Sequence, residues 1–275
     1  MYVSCSTLVC PKPTYPELED AADKIAELGF GAMDVGVFHD WQHVSPIEVA
    51  ADPDAWVRRL NAILAQTGLR VSSFNCGLSA NLSAPDFRDR EQPQREFVAL
   101  LKLAESCGCP NITLQPGALI EGHTPHELRE ALLANLSHLG ELADGSDVSL
   151  GLENHAQTAV EKTEDALDVI RRLWPAVGCT YDPSHLTMQD IPLPEAEHLL
   201  DYAVHVHVRN ASSGNMQDTM QAGAVEFEWL VTALGRRGYE GALSIEYFSG
   251  FDPEFSSVMA LRDRLVACGV SATPA

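Results

Sequence analysis

Short apolar runs alternate with longer stretches of helical periodicity from one end of the chain to the other. Residues 3–9 (VSCSTLV) predict a β-branched first strand. Pro13 and Pro16 open a helix over 17–28, which Gly29 ends. A second strand over 31–37 precedes a helix over 53–66, in which Trp56, Leu60, Ile63 and Leu64 recur at helical spacing before Gly68. A third strand (69–75) follows, then a helix over 92–106 with Phe97, Leu100, Leu101 and Ala104 on one face. The order continues with strand 110–115, helix 125–143, strand 148–153 and a helix from Thr163 to near Trp174-Pro175. Strand 177–182, a short helix near 194–201, strand 203–208, helix 226–236, strand 242–247 and a helix over 253–267 complete the chain.

Strand then helix, repeated eight times, predicts a parallel sheet. The strands are short and apolar without polar alternation, as expected of strands covered on both faces. Eight such units in 275 residues predict closure into a single (β/α)₈ TIM barrel of the α/β class, since such barrels run to about 250 residues. One domain is expected over 1–275. An open doubly wound sheet would carry a G-x-G-x-x-G or phosphate loop after the first strand, and none is there. Two connections, 76–91 and 209–224, are long and follow strand C-termini, so both are expected to act as lids.

Composition narrows the partners. Eighteen basic residues against 39 acidic ones leave a formal charge of −21, which opposes binding to nucleic acid or to anionic membranes at long range. The expected partner is a small molecule, with assembly into a homo-oligomer left open. The seven cysteines include a C-x-C at Cys107 and Cys109 but no C-x-x-C. The opening MYVSCSTLVC resembles no secretory leader, and no run approaches about 18 apolar residues. A cytoplasmic location with reduced thiols is the expectation.

The chemistry gathers at the ends of strands five to eight, the face on which barrels carry their active sites. Glu153, Asp182, His207 and Glu246 fall at those four consecutive ends. Neighbouring strands are about 4.8 Å apart, so these side chains can converge on one ion. Three crowded carboxylates would raise one another's pKa, and a divalent cation removes that penalty. A mostly oxygen donor set with one imidazole suits Mn²⁺, with Mg²⁺, Co²⁺ or Zn²⁺ as alternatives. His205, two residues before His207, is expected to face away from the barrel interior as a core histidine with its hydrogen bonds satisfied. His155 is expected at the rim.

At Leu152-Glu153-Asn154, Asp182-Pro183-Ser184-His185, His205-Val206-His207 and Ile245-Glu246 the chain resembles the xylose isomerase-like barrel superfamily, which includes sugar phosphate isomerases and epimerases, inosose dehydratases and endonuclease IV. The resemblance implies one divalent metal held by Glu153, Asp182, His207 and Glu246. It implies isomerisation or epimerisation of a monosaccharide or polyol derivative, with Glu153 and Glu246 exchanging a proton on carbon beside a carbonyl. His185 and Arg209 are then expected to contact substrate, together with His39, Asn75 and Gln115 at other strand ends; Phe38 and Trp41 could stack on a sugar face. Ketose epimerases of the superfamily carry a further Glu where this chain has Ala159, so elimination of the inosose dehydratase type is the alternative outcome. Abasic-site nuclease activity is a distant alternative: Gln115 and Asn75 stand where endonuclease IV has zinc-binding histidines. A non-catalytic sugar-binding barrel is opposed by the complete four-ligand set.

Overall fold

In the computed structural model, which describes residues 1–248 and 250–274, eight parallel strands close on themselves in sequence order. They are β1 (Tyr2–Ser6), β2 (Ala32–Phe38), β3 (Arg70–Gly77), β4 (Asn111–Leu114), β5 (Ser149–Glu153), β6 (Val177–Tyr181), β7 (Ala203–Val208) and β8 (Ala242–Ile245). Closure is made by β1 pairing with β8, Tyr2 opposite Ala242 through Cys5 opposite Ile245. The expected single (β/α)₈ barrel is the fold.

The outer layer contains α1 (Leu18–Glu27), α2 (Pro46–Ala51), α3 (Pro53–Thr67), α4 (Glu91–Cys107), α5 (Pro125–Leu142), α6 (Thr163–Leu173), α7 (Pro183–Thr187), α8 (Phe227–Arg236) and α9 (Ser256–Ala267). Their starts are written in side-chain chemistry. In α5, Thr124 and Glu127 form a reciprocal capping box and Pro125 occupies the first turn. In α3, Asp52 caps Ala55 N, and Gly68 closes the helix at φ 72°, a left-handed conformation that favours glycine. The faces that meet the barrel are apolar: Leu100, Leu103 and Phe97 of α4 are fully buried.

Some boundaries differ from the sequence reading. The first strand stops at Ser6, whose hydroxyl accepts from Leu8 N and turns Thr7–Val9 into a 3₁₀ turn. The expected short helix near 194–201 is a 3₁₀ helix, Leu193–Tyr202. The last helix begins at Ser256, not 253, because Asp252 accepts from Ser256 N and Val258 N and Phe255 turns to φ 56°. The helix Pro46–Ala51 lies in a stretch the periodicity did not mark.

The two long connections are tied to the scaffold. Asn135 of α5 donates to Leu82 O and Ala84 O, and Ser83 donates to Pro116 O. Buried Asn210 donates to Thr219 O and accepts from Val225 N. No helix among the described residues is long and apolar enough to cross a membrane.

Candidate metal centre

The ends of β5 to β8 deliver their polar side chains to one point. Glu153 is the last residue of β5, Asp182 directly follows β6, His207 is next to last in β7 and Glu246 directly follows β8. One ligand atom from each lies within 4.8 Å of every other, and all four residues are buried.

Local chemistry fixes each member. Asp182 caps α7, accepting from Ser184 N through Oδ1 at 2.7 Å, while Pro183 in the first turn needs no donor partner. Asn154 clamps the Asp182 backbone from both sides, accepting from its N at 2.8 Å and donating to its O at 2.9 Å. That gives the Glu153-Asn154 pair a division of labour: the first faces the centre and the second positions the neighbouring ligand.

His207 is held at both ring nitrogens. Nδ1 lies 2.9 Å from Glu153 Oε1 and 3.5 Å from Glu246 Oε2, and Nε2 lies 3.1 Å from Asp34 Oδ2. His205 also reaches Asp34 Oδ2, through Nε2 at 2.7 Å. The expectation that His205 faces away is therefore wrong. Residues two apart on a strand share a face, and both rings point inward onto Asp34 of β2.

The electrostatics describe a site with too much negative charge. Burial raises the Glu153 carboxyl, but the hydrogen bond and charge of His207 outweigh it and hold the group at about 2. Burial pushes Glu246 up to about 7 despite the nearby charges of His207 and Arg209. Burial lowers His207, yet the Glu246 charge and the hydrogen bonds to Asp34 and Glu153 carry it well above the ordinary imidazole value. Burial likewise raises Asp34, but hydrogen bonds from both histidines bring it to about 2.

Arg209 compensates part of this charge. Its guanidinium is buried, donating to Asp182 Oδ2 at 2.7 Å and to Glu246. The three carboxylates of the donor set, Glu153, Asp182 and Glu246, outnumber the one cation of Arg209, and Asp34 behind His207 adds a fourth carboxylate. The donor set fits a divalent ion, for which His207 would be neutral and offer Nδ1 while Nε2 donates to Asp34. Such carboxylate–imidazole–metal arrangements fix the ring and raise its basicity.

Other expected site residues surround the same cavity, of about 250 Å³, lined by Asn75, Gln115, His155, His185 and Arg209 beside Glu153 and Glu246. Asn75 donates to Glu246, and Gln115 donates to Glu153 and to Asn75 Oδ1. These amides link the two glutamates in one chain. His185 accepts from Arg209 at 3.2 Å, and burial, reinforced by the His155 and Arg209 charges, keeps its pKa well below the ordinary value. His155 stacks on His185 with ring centroids 4.0 Å apart. Its Nδ1 donates to Ala156 O at 2.7 Å.

His39 is not among the lining residues; it sits at the rim beside Asp40 and Ser45. The 76–91 segment supplies no side chain to the cavity among the described residues, whereas Met216 of the 209–224 loop does. Leu8, Phe38, Trp41 and Phe248 complete the wall. Two of them use glycine as their seat. A Cβ on Gly36 would lie 2.2 Å from Leu8 Cδ1, and one on Gly77 would lie 2.7 Å from the Phe38 ring.

The model of the xylose isomerase-like TIM barrel family matches residues 22–262. The chain belongs to this family. Among solved structures that share the family fold, a D-tagatose 3-epimerase-like protein superposes with a TM-score of 0.78 at 19% identity, covering 98% of each chain. A xylose isomerase-like barrel protein from Mycobacterium smegmatis, in complex with magnesium, gives 0.77 at 21% identity, covering 98% of this chain and 97% of the other. A 3-keto-D-glucoside 4-epimerase from E. coli gives 0.74 at 18% identity, covering 98% and 99%. No curated protein sequence matches the chain.

Proposed function

We propose that this barrel is a divalent-metal-dependent enzyme that epimerises or isomerises a monosaccharide or polyol derivative by moving a proton on carbon beside a carbonyl. The observation that carries the reading is the convergence of Glu153, Asp182, His207 and Glu246 within 4.8 Å at the C-terminal mouth of a closed barrel. Mn²⁺ is the ion of choice for three carboxylates and one imidazole, with Mg²⁺, Co²⁺ and Zn²⁺ compatible. A magnesium complex and sugar epimerases among the solved structures of the same fold support this choice of chemistry.

A bound divalent ion would polarise a substrate carbonyl and acidify the neighbouring C–H. Glu153 and Glu246 take and return the proton. Both line the cavity, and their orientations are set by separate amides, Gln115 and Asn75. Arg209 holds Asp182 and Glu246 in place. Its guanidinium and His185 also present polar edges to the cavity, where they meet substrate oxygens. The four side chains are themselves buried, which strengthens each of these electrostatic interactions.

Elimination is the second reading, favoured by one residue: Ala159, buried and without a polar group, stands where related ketose epimerases place a further Glu. Both outcomes begin with the same proton abstraction. The test is proton–deuterium exchange in D₂O with Mn²⁺ across ketoses, inososes and keto-glycosides. Label is expected to enter beside the carbonyl of one class and to be lost in Glu153→Gln and Glu246→Gln by about 10²–10⁴-fold. Loss of water from the labelled product marks elimination. Exchange that survives both substitutions overturns the proton-transfer assignment.

A further inference from the structure

A second hollow adjoins the metal cavity. It measures about 710 Å³, is lined by Leu8, Pro11, Pro13 and Trp41 together with the polar Lys12, Thr14, Asp40 and Gln42, and shares Leu8 and Trp41 with the cavity over Glu153 and Glu246. The groove therefore begins where the cavity ends. Trp41 is 45% exposed, unusual for a large apolar side chain, and its ring is braced by Phe38 at 4.7 Å between centroids. Leu8 is held between the two hollows by the missing side chain of Gly36.

Ligand sites usually enclose about 300–1,000 Å³. The cavity over the carboxylates, about 250 Å³, falls below that range alone, and with the adjoining groove the combined site lies within it. The first part brings carboxylates, amides and a guanidinium, for the hydroxyls of a polyhydroxylated ring, together with Phe38, Met216 and Phe248. The second part offers an indole face, two proline rings and a leucine. Flat apolar faces of this kind match a planar ring, and Lys12, Thr14, Asp40 and Gln42 are placed to meet its polar substituents.

Building on the proposed function, we infer that the substrate is a sugar conjugate: its sugar sits over the metal ligands, and an aromatic aglycone crosses Trp41 into the groove between Leu8, Pro11 and Pro13. Trp41 is then a specificity-determining residue, and the ring attached to the sugar supplies binding energy remote from the reacting carbon.

The experiment is ligand binding to the Mn²⁺-loaded protein, followed by NMR, with phenyl β-D-glucopyranoside and methyl β-D-glucopyranoside as probes. The phenyl compound is expected to bind at least about tenfold tighter, because burying an apolar ring face is worth that much. Paramagnetic relaxation should be faster for its sugar protons than for its phenyl protons. Thr14→Trp, which fills the groove from an exposed turn, and Trp41→Ala should each bring the phenyl-to-methyl affinity ratio toward one. Equal affinities, binding of neither glycoside, or a phenyl ring that relaxes faster than the sugar overturns the inference. Absence of deuterium uptake by every sugar sinks the functional reading instead and leaves this ratio readable, since the ratio needs binding alone.

Discussion

The His207 ring stands 3.1 Å from Asp34 Oδ2 through Nε2, which leaves Nδ1 facing the carboxylates of Glu153 and Glu246. Asp34 comes from β2, on the far side of the barrel in sequence from the four candidate ligands. Its carboxylate also receives His205. One buried anion thus sets the orientation of the imidazole in the four-residue set.

Replacing Asp34 by Asn should weaken metal binding by about 10–100-fold, the usual cost of losing a carboxylate behind a ligating histidine. Competition with a metal-binding dye measures it. A His205→Gln control separates this effect from general damage beneath the site: it should weaken metal binding less than Asp34→Asn. Metal affinity unchanged in Asp34→Asn would show that His207 needs no orienting partner.

Asn75 and Gln115 form the chain that links Glu246 to Glu153. Their substitution by Ala is expected to lower kcat by roughly 10²-fold, because misplacing a catalytic group by about 1 Å costs that much. KM should move less than kcat. A change confined to KM would reassign both amides to substrate binding.

Stability at low pH has a readable contribution outside the candidate site. Arg59 of α3 donates to Glu19 of α1 from Nε at 2.8 Å and from an Nη at 2.6 Å. This hydrogen bond lowers the Glu19 carboxyl below its ordinary value, with burial opposing. A group depressed in the folded state adds stability above its unfolded pKa, near 4.3, and that contribution fades as pH falls through the folded value. The pair is partly exposed, so Glu19→Gln should cost less than about 1 kcal/mol at pH 7. Denaturant midpoints of variant and parent should converge below about pH 4. A gap that persists there would mean that packing, not charge, is being measured.

The barrel was legible because each unit repeats the same signal, an apolar run followed by helical periodicity, and eight repeats leave few alternatives. The convergence of Glu153, Asp182, His207 and Glu246 was legible for a related reason: each lies at or within one residue of a strand end, so barrel closure brings them together. Asp34 was hidden. It lies within β2, between apolar neighbours, and its partners are 171 and 173 residues away. No local pattern marks such a contact. His205 was misplaced by an error of period, since positions two apart share a strand face. The long connections give no sign in sequence of their anchoring, which depends on single amides such as Asn135 and Asn210. His39 illustrates the reverse case: a polar residue that follows a strand but stays at the rim, paired with Asp40.

The most direct test is a crystal grown with Mn²⁺ and measured at an energy where manganese scatters anomalously. One peak is expected, about 2.0–2.3 Å from a carboxylate oxygen of Glu153, Asp182 and Glu246 and from Nδ1 of His207, in line with first-row metal–oxygen and metal–nitrogen bonds. A peak held by Asp34, His205 and His207, or by Glu153, His155 and His185, the other two clusters able to hold an ion, would contradict the account, as would no peak at all.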